Sequence, residues 1–125
     1  MGPLVIDSCV LIDVLRGNRV ALEFLHALQV TPLVSAITVG ELYAGAHRPG
    51  EEARINDLVT RLRVVAIDFA IASMGGGFAR RFGRSHGVLL IDATIAATAR
   101  VHDARLVTRN TRHFPMLDGL LVPYQ

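Results

Sequence analysis

The stretch Leu4-Val5-Ile6-Asp7-Ser8-Cys9-Val10-Leu11-Ile12-Asp13 decides the fold. Its apolar start is too short for a helix, so residues 3–7 read as a buried strand ending in an acid. Asp7 or Ser8 stands where a cap belongs, and the residues that follow predict a helix over 9–16 that stops at Gly17. The same alternation recurs down the chain. Leu22, Phe24, Leu25 and Leu28 mark a helix near 19–29, broken by Thr31-Pro32, and Leu33-Val34-Ser35 reads as a second strand. Further helices are expected at 38–46 and at 51–63, where Ile55, Leu58, Val59 and Leu62 share one face. Residues 64–67 predict a third strand. Residues 69–85 predict a helix, weakened at Gly75-Gly76-Gly77 by about 1 kcal/mol per glycine relative to alanine. A helix over 91–103, a strand at 106–108 and a last strand at 120–123 complete the pattern. Short apolar strands alternating with helices predict an α/β fold, one domain over residues 1–125, with a mostly parallel sheet covered on both faces.

Bulk properties narrow the class. A chain of 125 residues supports a single core. Its hydrophobic fraction is 51%, and its mean hydropathy of +0.41 is high for so small a domain. That excess predicts a surface covered by a partner. All 13 basic residues are arginine and the formal net charge is +2. Guanidinium forks match phosphates, which is compatible with nucleic acid, and a high-GC genome would produce the same bias. One cysteine, Cys9, excludes an intrachain disulfide and suits a reducing compartment. No signal peptide is read, and no apolar run reaches the roughly 18 residues of a membrane span, so a cytoplasmic protein is expected.

Three acids close apolar runs: Asp7, Glu41 after Ser35-Ala36-Ile37-Thr38-Val39-Gly40, and Asp92 after Val88-Leu89-Leu90-Ile91. Each has a structural explanation. Thr38-x-x-Glu41 has the form of a capping box, and Asp92 and Asp7 would favour helix N-termini. In a parallel sheet, however, ligands bind beyond the carboxyl ends of the strands. Asp7 and Asn110 follow strands directly, and Glu41 and Asp92 are expected in first helical turns, so the topology can bring all four to one edge. Three carboxylates and an amide oxygen suit a hard cation such as Mg²⁺ or Mn²⁺.

At four places the chain closely resembles the motifs of PIN-domain ribonucleases. These are Val5 to Asp13, Thr38-Val39-Gly40-Glu41-Leu42-Tyr43-Ala44-Gly45, Leu90-Ile91-Asp92-Ala93-Thr94-Ile95-Ala96-Ala97-Thr98-Ala99, and Leu106-Val107-Thr108-Arg109-Asn110-Thr111-Arg112-His113-Phe114. Their order and spacing resemble the VapC-type toxins of bacterial toxin–antitoxin pairs over nearly the whole length. The resemblance implies a three-layer α/β/α sandwich and a Mg²⁺- or Mn²⁺-dependent endoribonuclease cutting structured RNA, whether transfer, ribosomal or messenger. It implies that Asp7 and Asp92 are the principal metal-binding acids, that Glu41 positions metal or water, and that Asn110 stands where the family has Asp or Asn. Thr108 and Ser8 would support the ligands. Ser8-Cys9 departs from the usual Thr/Ser followed by Ser or Asn, so position 9 offers only a weak donor. It also implies a VapB-like antitoxin, whose tail would lie over Leu11, Leu15, Leu22, Leu25 and Leu58, with a basic side chain reaching the acids. Homodimers and toxin–antitoxin hetero-oligomers follow from the same resemblance.

The remaining signals are weaker. Arg80, Arg81 and Arg84, and Arg109 with Arg112, flank the expected site and would suit RNA backbone contacts or a solvated face equally. Asp13, six residues after Asp7, could support the site or be a solvated helix residue, and the second reading is favoured; His102 and His113 read as helix-end or surface residues. Two rival readings remain: a catalytically silent PIN-fold binding module, and a phosphoacceptor receiver domain. A receiver needs an acidic pair after its first strand and a lysine after its last. Here Ser8 follows Asp7 and there is no lysine.

Overall fold

A computed structural model describes residues 2–125. Its elements in chain order are β1 (Leu4–Ile6), α1 (Ser8–Leu15), α2 (Arg19–Ala27), β2 (Leu33–Ser35), α3 (Ala36–Ala44), α4 (Glu51–Val59), β3 (Arg63–Val65), α5 (Phe69–His86), α6 (Leu90–Val101), β4 (Arg105–Val107) and a 3₁₀ turn at Thr111–His113. The four strands form one parallel sheet in the order β3-β2-β1-β4.

Side chains alternate across each strand, and the alternation divides the core into two halves. Val5, Leu33 and Leu106 face a cluster built from Ile71 and Phe78 of α5, Ala93, Ile95, Ala96, Ala97 and Ala99 of α6, and Phe114. Leu4, Ile6, Val34 and Val107 face the other cluster, with Val10 and Leu11 of α1, Leu25 of α2, Leu42 of α3, and Ile55 and Leu58 of α4. The result is the expected α/β/α sandwich. No helix among the described residues is long and apolar enough to cross a membrane.

The chain first builds the sheet outward from β1 through β2 to β3, then returns to place β4 on the other flank of β1. The strand order therefore reverses between β1 and β4. In an open parallel sheet this is where the loops diverge and leave a crevice. Asp7 and Thr108 are the residues immediately after those two strands.

Several local expectations need correction. The helix expected at 38–46 begins at Ala36, because Ser35 caps it: the Ile37 N–H donates to Ser35 Oγ at 3.2 Å. Thr38 and Glu41 consequently form no capping box, and Glu41 lies mid-helix rather than in the first turn. The helix at 51–63 ends at Val59, freeing Arg63 to enter β3. The strand expected at 120–123 shrinks to a single parallel bridge between Val107 and Leu121. Helix α5 runs unbroken through the three glycines. Of the three, Gly75 has a packing reason: a Cβ there would meet the Thr94 backbone at 3.2 Å, so the glycine lets α5 and α6 approach closely.

Candidate active site

Asp7 caps α1, its carboxylate accepting the Ser8 N–H at 2.8 Å through Oδ1. It is 3% exposed. A buried carboxylate needs several donors, and β4 supplies the best one: the Thr108 hydroxyl donates to Asp7 Oδ2 at 2.7 Å. The Cys9 thiol donates to the same oxygen at 3.4 Å and lies 3.6 Å from Thr108 Oγ1. Thr108 in turn accepts the Asn110 N–H at 3.0 Å, which folds the loop back toward β1. The end of β4 therefore fixes both the orientation of Asp7 and the course of the backbone beyond it.

Glu41 projects from the middle of α3 and Asp92 from the first turn of α6. Both are partly buried. Burial raises the Glu41 pKa above the ordinary carboxylate value, the negative charges of Asp7 and then Asp92 raise it further, and the Ser8 hydroxyl opposes them. Burial likewise raises Asp92; the neighbouring His113 pulls it down and Asp7 pushes it up. Asp7 thus bears on both other acids, and Asp92 also bears on Glu41. His113 Nδ1 stands 3.5 Å from Asp92 Oδ2, so the residue read as an ordinary surface histidine faces an acid of the site. Its partner lies 21 positions away and on another element, a pairing no local pattern announces.

Glu41 Oε1 is buried and has no hydrogen-bond partner among the described residues. Leaving a buried carboxylate oxygen unpaired beside two further acids costs free energy that a cation would recover. No three His, Cys, Asp or Glu side chains among the described residues converge closely enough to cage an ion unaided. The three acids offer oxygen donors, which suit a hard cation such as Mg²⁺ that completes its shell with water.

The other sequence-based candidates divide. Ser8 joins the site through its N–H and, at 3.5 Å, through its hydroxyl. Asn110 reaches the site through its backbone; its carboxamide makes no hydrogen bond among the described residues. Arg80, Arg81 and Arg84 are exposed on the last turns of α5 and form no ion pair with the acids, and Arg112 is exposed on the 3₁₀ turn. Arg109 is engaged elsewhere: its Nη1 donates to Asp13 Oδ2 at 2.9 Å. Asp13 also accepts the Tyr124 hydroxyl at 2.7 Å, so it is not the solvated helix residue expected.

Two clefts open beside the site. One, of about 530 Å³, has Glu41 in its wall with Ile12, Leu15, Leu42 and Ile55 and the cations Arg16 and Arg54. The other, of about 470 Å³, continues past Leu15 and Arg54 to Leu22, Leu25 and Leu58. Leu11, expected on this face, is fully buried in the core.

Known proteins share this organisation. The PIN domain family matches residues 4–120. Ribonuclease VapC10 of Mycobacterium tuberculosis is 39% identical over 124 residues, covering 97% of this chain and 92% of its own. Ribonuclease VapC19 of the same organism is 38% identical over 123 residues, covering 95% and 98%. Among solved structures, a toxin–antitoxin complex from Klebsiella pneumoniae superposes with a TM-score of 0.84 at 30% identity, covering 98% of each chain. The DNA-bound VapBC of Salmonella typhimurium superposes at 0.81 with 24% identity, over 97% of this chain and 96% of that one, a likeness of fold. The receiver alternative falls with these matches, as it does with the missing acid after Asp7. By motif order, sheet topology and identity to these relatives, the chain belongs to the PIN-domain family and, within it, to the VapC branch.

Proposed function

We propose that this chain is a metal-dependent endoribonuclease and the toxin of a toxin–antitoxin pair. One observation carries the reading: Asp7 and Asp92 both bear on Glu41 near the crevice where the strand order reverses, and Glu41 Oε1 is buried with no hydrogen-bond partner among the described residues. A stability-driven design would not keep such a cluster, whereas phosphodiester hydrolysis needs one. The names of the two mycobacterial relatives support ribonuclease chemistry.

Asp7, Asp92 and Glu41 would hold Mg²⁺ or Mn²⁺ together with water molecules. Bound there, the ion would supply a water of lowered pKa and positive charge for the scissile phosphate. The protein's own part is orientation. Thr108 and Ser8 fix Asp7, so a single carboxylate geometry is presented. Glu41 Oε1 has a free lone pair with which to align the attacking water and accept its proton, and its raised pKa suits that exchange. His113, beside Asp92, would help orient that carboxylate. In-line displacement of the 3′ oxygen would leave a 5′-phosphate and a 3′-hydroxyl. Structured RNA is the substrate class we infer, with Arg80, Arg81, Arg84 and Arg112 offered to its backbone.

The paired clefts are where we place the VapB-like antitoxin, an inference supported by the toxin–antitoxin assemblies among the structural relatives. The aliphatic floor of Leu15, Leu22, Leu25 and Leu58 suits an amphipathic segment, and the Glu41 end suits a cationic side chain. Self-association would draw on the most exposed apolar residues, among them Phe69, Leu89 and Leu90.

The test is cleavage of RNA by the purified chain, with 5′-end mapping, in Mg²⁺, in Mn²⁺ and in chelator. Asp7→Asn, Glu41→Gln and Asp92→Asn are each expected to abolish cleavage while the protein stays folded. Retained cleavage in all three would transfer the activity to another site. Wild-type protein that binds the antitoxin but cuts nothing would make the chain a silent binding module.

A further inference from the structure

Beyond the three acids, one polar cluster joins parts of the chain that lie far apart in sequence. Asp13 on α1 accepts two hydrogen bonds on a single oxygen, Oδ2: from Arg109 Nη1 at 2.9 Å and from the Tyr124 hydroxyl at 2.7 Å. The Arg109 guanidinium also lies over the Tyr124 ring, 5.3 Å from its centroid. The ion pair is partly withdrawn from water, with the Asp13 side chain 16% exposed and that of Arg109 41%. Three elements therefore meet there: the first helix, the loop after β4 and the C-terminal segment.

The loop held in this way is the one that orients Asp7. Arg109 sits between Thr108, whose hydroxyl donates to Asp7 Oδ2, and Asn110, whose N–H donates to Thr108 Oγ1. The Arg109 N–H itself points to Cys9 Sγ at 3.5 Å. The C-terminal segment reaches the cluster by running beside β4, where the Thr108 N–H donates to the Leu121 carbonyl at 3.0 Å and the Leu121 N–H to the Leu106 carbonyl at 2.9 Å. A guanidinium committed to a carboxylate and an aromatic face has its orientation set from within the protein.

We propose that Arg109, Asp13 and Tyr124 form a clasp that positions the Thr108–Asn110 loop, and through Thr108 the Asp7 carboxylate, so that the C-terminal segment is part of the active-site scaffold. Arg109 is then a positioning residue rather than a contact to substrate. The proposal rests on the reading of the site given above, yet it predicts effects that need neither RNA nor catalysis. Supporting residues around a metal site typically contribute about 10- to 100-fold to affinity or activity.

A double-mutant cycle on the full chain tests it, with three readouts: hydrogen exchange over residues 106–111, Mn²⁺ affinity without RNA, and steady-state RNA cleavage. Arg109→Ala and Asp13→Asn are each expected to speed exchange in that segment. Each should weaken Mn²⁺ binding and lower kcat by about 10-fold or more, with KM little changed. The double variant should be no worse than the poorer single variant, because both remove the same contact. Tyr124→Phe, which keeps the ring under the guanidinium, should give a smaller defect of the same kind, and Arg109→Lys should restore part of the Arg109→Ala loss. If Arg109→Ala does not fold, Asp13→Asn and Tyr124→Phe carry the test alone. Unchanged exchange and Mn²⁺ affinity in both overturns the clasp. So does an Arg109→Ala variant that raises KM and reduces the salt dependence of RNA binding while Asp13→Asn does neither, which would make Arg109 a phosphate contact. Wild-type protein that cleaves no RNA defeats the ribonuclease reading, and the exchange data still judge the clasp.

Discussion

The carboxylates of the site are in conflict with one another, and this fixes how the protein responds to pH and to metal. Glu41 and Asp92 both have pKa values raised in the folded chain, chiefly by burial. A carboxyl with a raised folded pKa binds its proton more tightly folded than unfolded. Its ionised form therefore costs stability above the folded pKa, and the cost disappears below the ordinary carboxylate pKa. In chelator at neutral pH, Glu41→Gln and Asp92→Asn are expected to melt at or above the wild-type temperature. That advantage should close as pH falls through the carboxylate range. Mn²⁺ should reverse the order by stabilising the wild type alone. Differential scanning fluorimetry across pH, with and without Mn²⁺, reads all three effects; variants that melt well below wild type in chelator at neutral pH would mean that the acids are structural. Thr108 makes the complementary case. Thr108→Val keeps the shape of a residue that is fully buried but leaves Asp7 Oδ2 without its shortest donor. Mn²⁺ affinity, measured by calorimetry, should fall by about 10- to 100-fold. At this scale the sequence was legible only in part. Asp7, Glu41 and Asp92 stood out because an acid closing an apolar run is costly. Thr108 was legible through the family resemblance, which marks it as a support for the ligands. The links made by Asp13 and His113 were not, because each acquires its meaning from a partner on another element, Arg109 for Asp13 and Asp92 for His113.

Between elements, the sheet follows from periodicity and the helix boundaries follow from caps. Asn18, Ser35 and Asp68 each accept a backbone N–H at the start of a helix, from Ala21, Ile37 and Ile71 in turn. The sequence offered a competing cap in Thr38-x-x-Glu41, and Ser35 wins because it sits at the strand end where the chain already turns. Helix α5 shows the opposite kind of misreading. Propensity marks Gly75-Gly76-Gly77 as a weak point, but tertiary packing decides. The three glycines are not equivalent. A Cβ at Gly75 would press on Thr94 at 3.2 Å, while Gly76 and Gly77 have nothing within 4 Å. Gly76→Ala and Gly77→Ala are thus expected to stabilise the fold by about 0.5–1 kcal/mol each. Gly75→Val should instead destabilise it by about 1–3 kcal/mol, since the branched side chain forces α5 from α6. Urea denaturation of the three variants measures the contrast. A stabilised Gly75→Val would mean that the helices are free to move apart. A sequence pattern reveals a weak helix former; which glycine a neighbouring helix requires depends on a contact 19 positions away.

For the whole molecule, the question raised by composition is where so much apolar surface goes. The two-sided core absorbs most of it, including Leu11. Part of the remainder, with Leu22 the most exposed leucine there, lies in the clefts that run from Glu41 past Leu15 over Leu25 and Leu58, rimmed by Arg16, Arg54 and Arg61, while Phe69, Leu89 and Leu90 are exposed outside them. A partner segment laid along that path would cover aliphatic surface and reach the acids with one side chain, which would join inhibition to binding. Leu22 separates docking from folding. It is 37% exposed and lines the outer cleft, far along the path from Glu41. Leu22→Glu places a charge where the apolar face of the partner should seat, while a half-exposed position on α2 tolerates it in the free chain. Losing a well-packed apolar anchor at an interface typically costs about 2–4 kcal/mol, or roughly 30- to 1,000-fold in affinity. The expected outcome is a loss of that size in binding to the cognate antitoxin by calorimetry. The melting temperature of the free chain should stay nearly constant, and RNA cleavage by the free chain should be retained. The antitoxin should then no longer silence that cleavage at concentrations that silence the wild type. Undiminished affinity in Leu22→Glu would remove the outer cleft from the interface and leave the molecule's apolar excess to self-association.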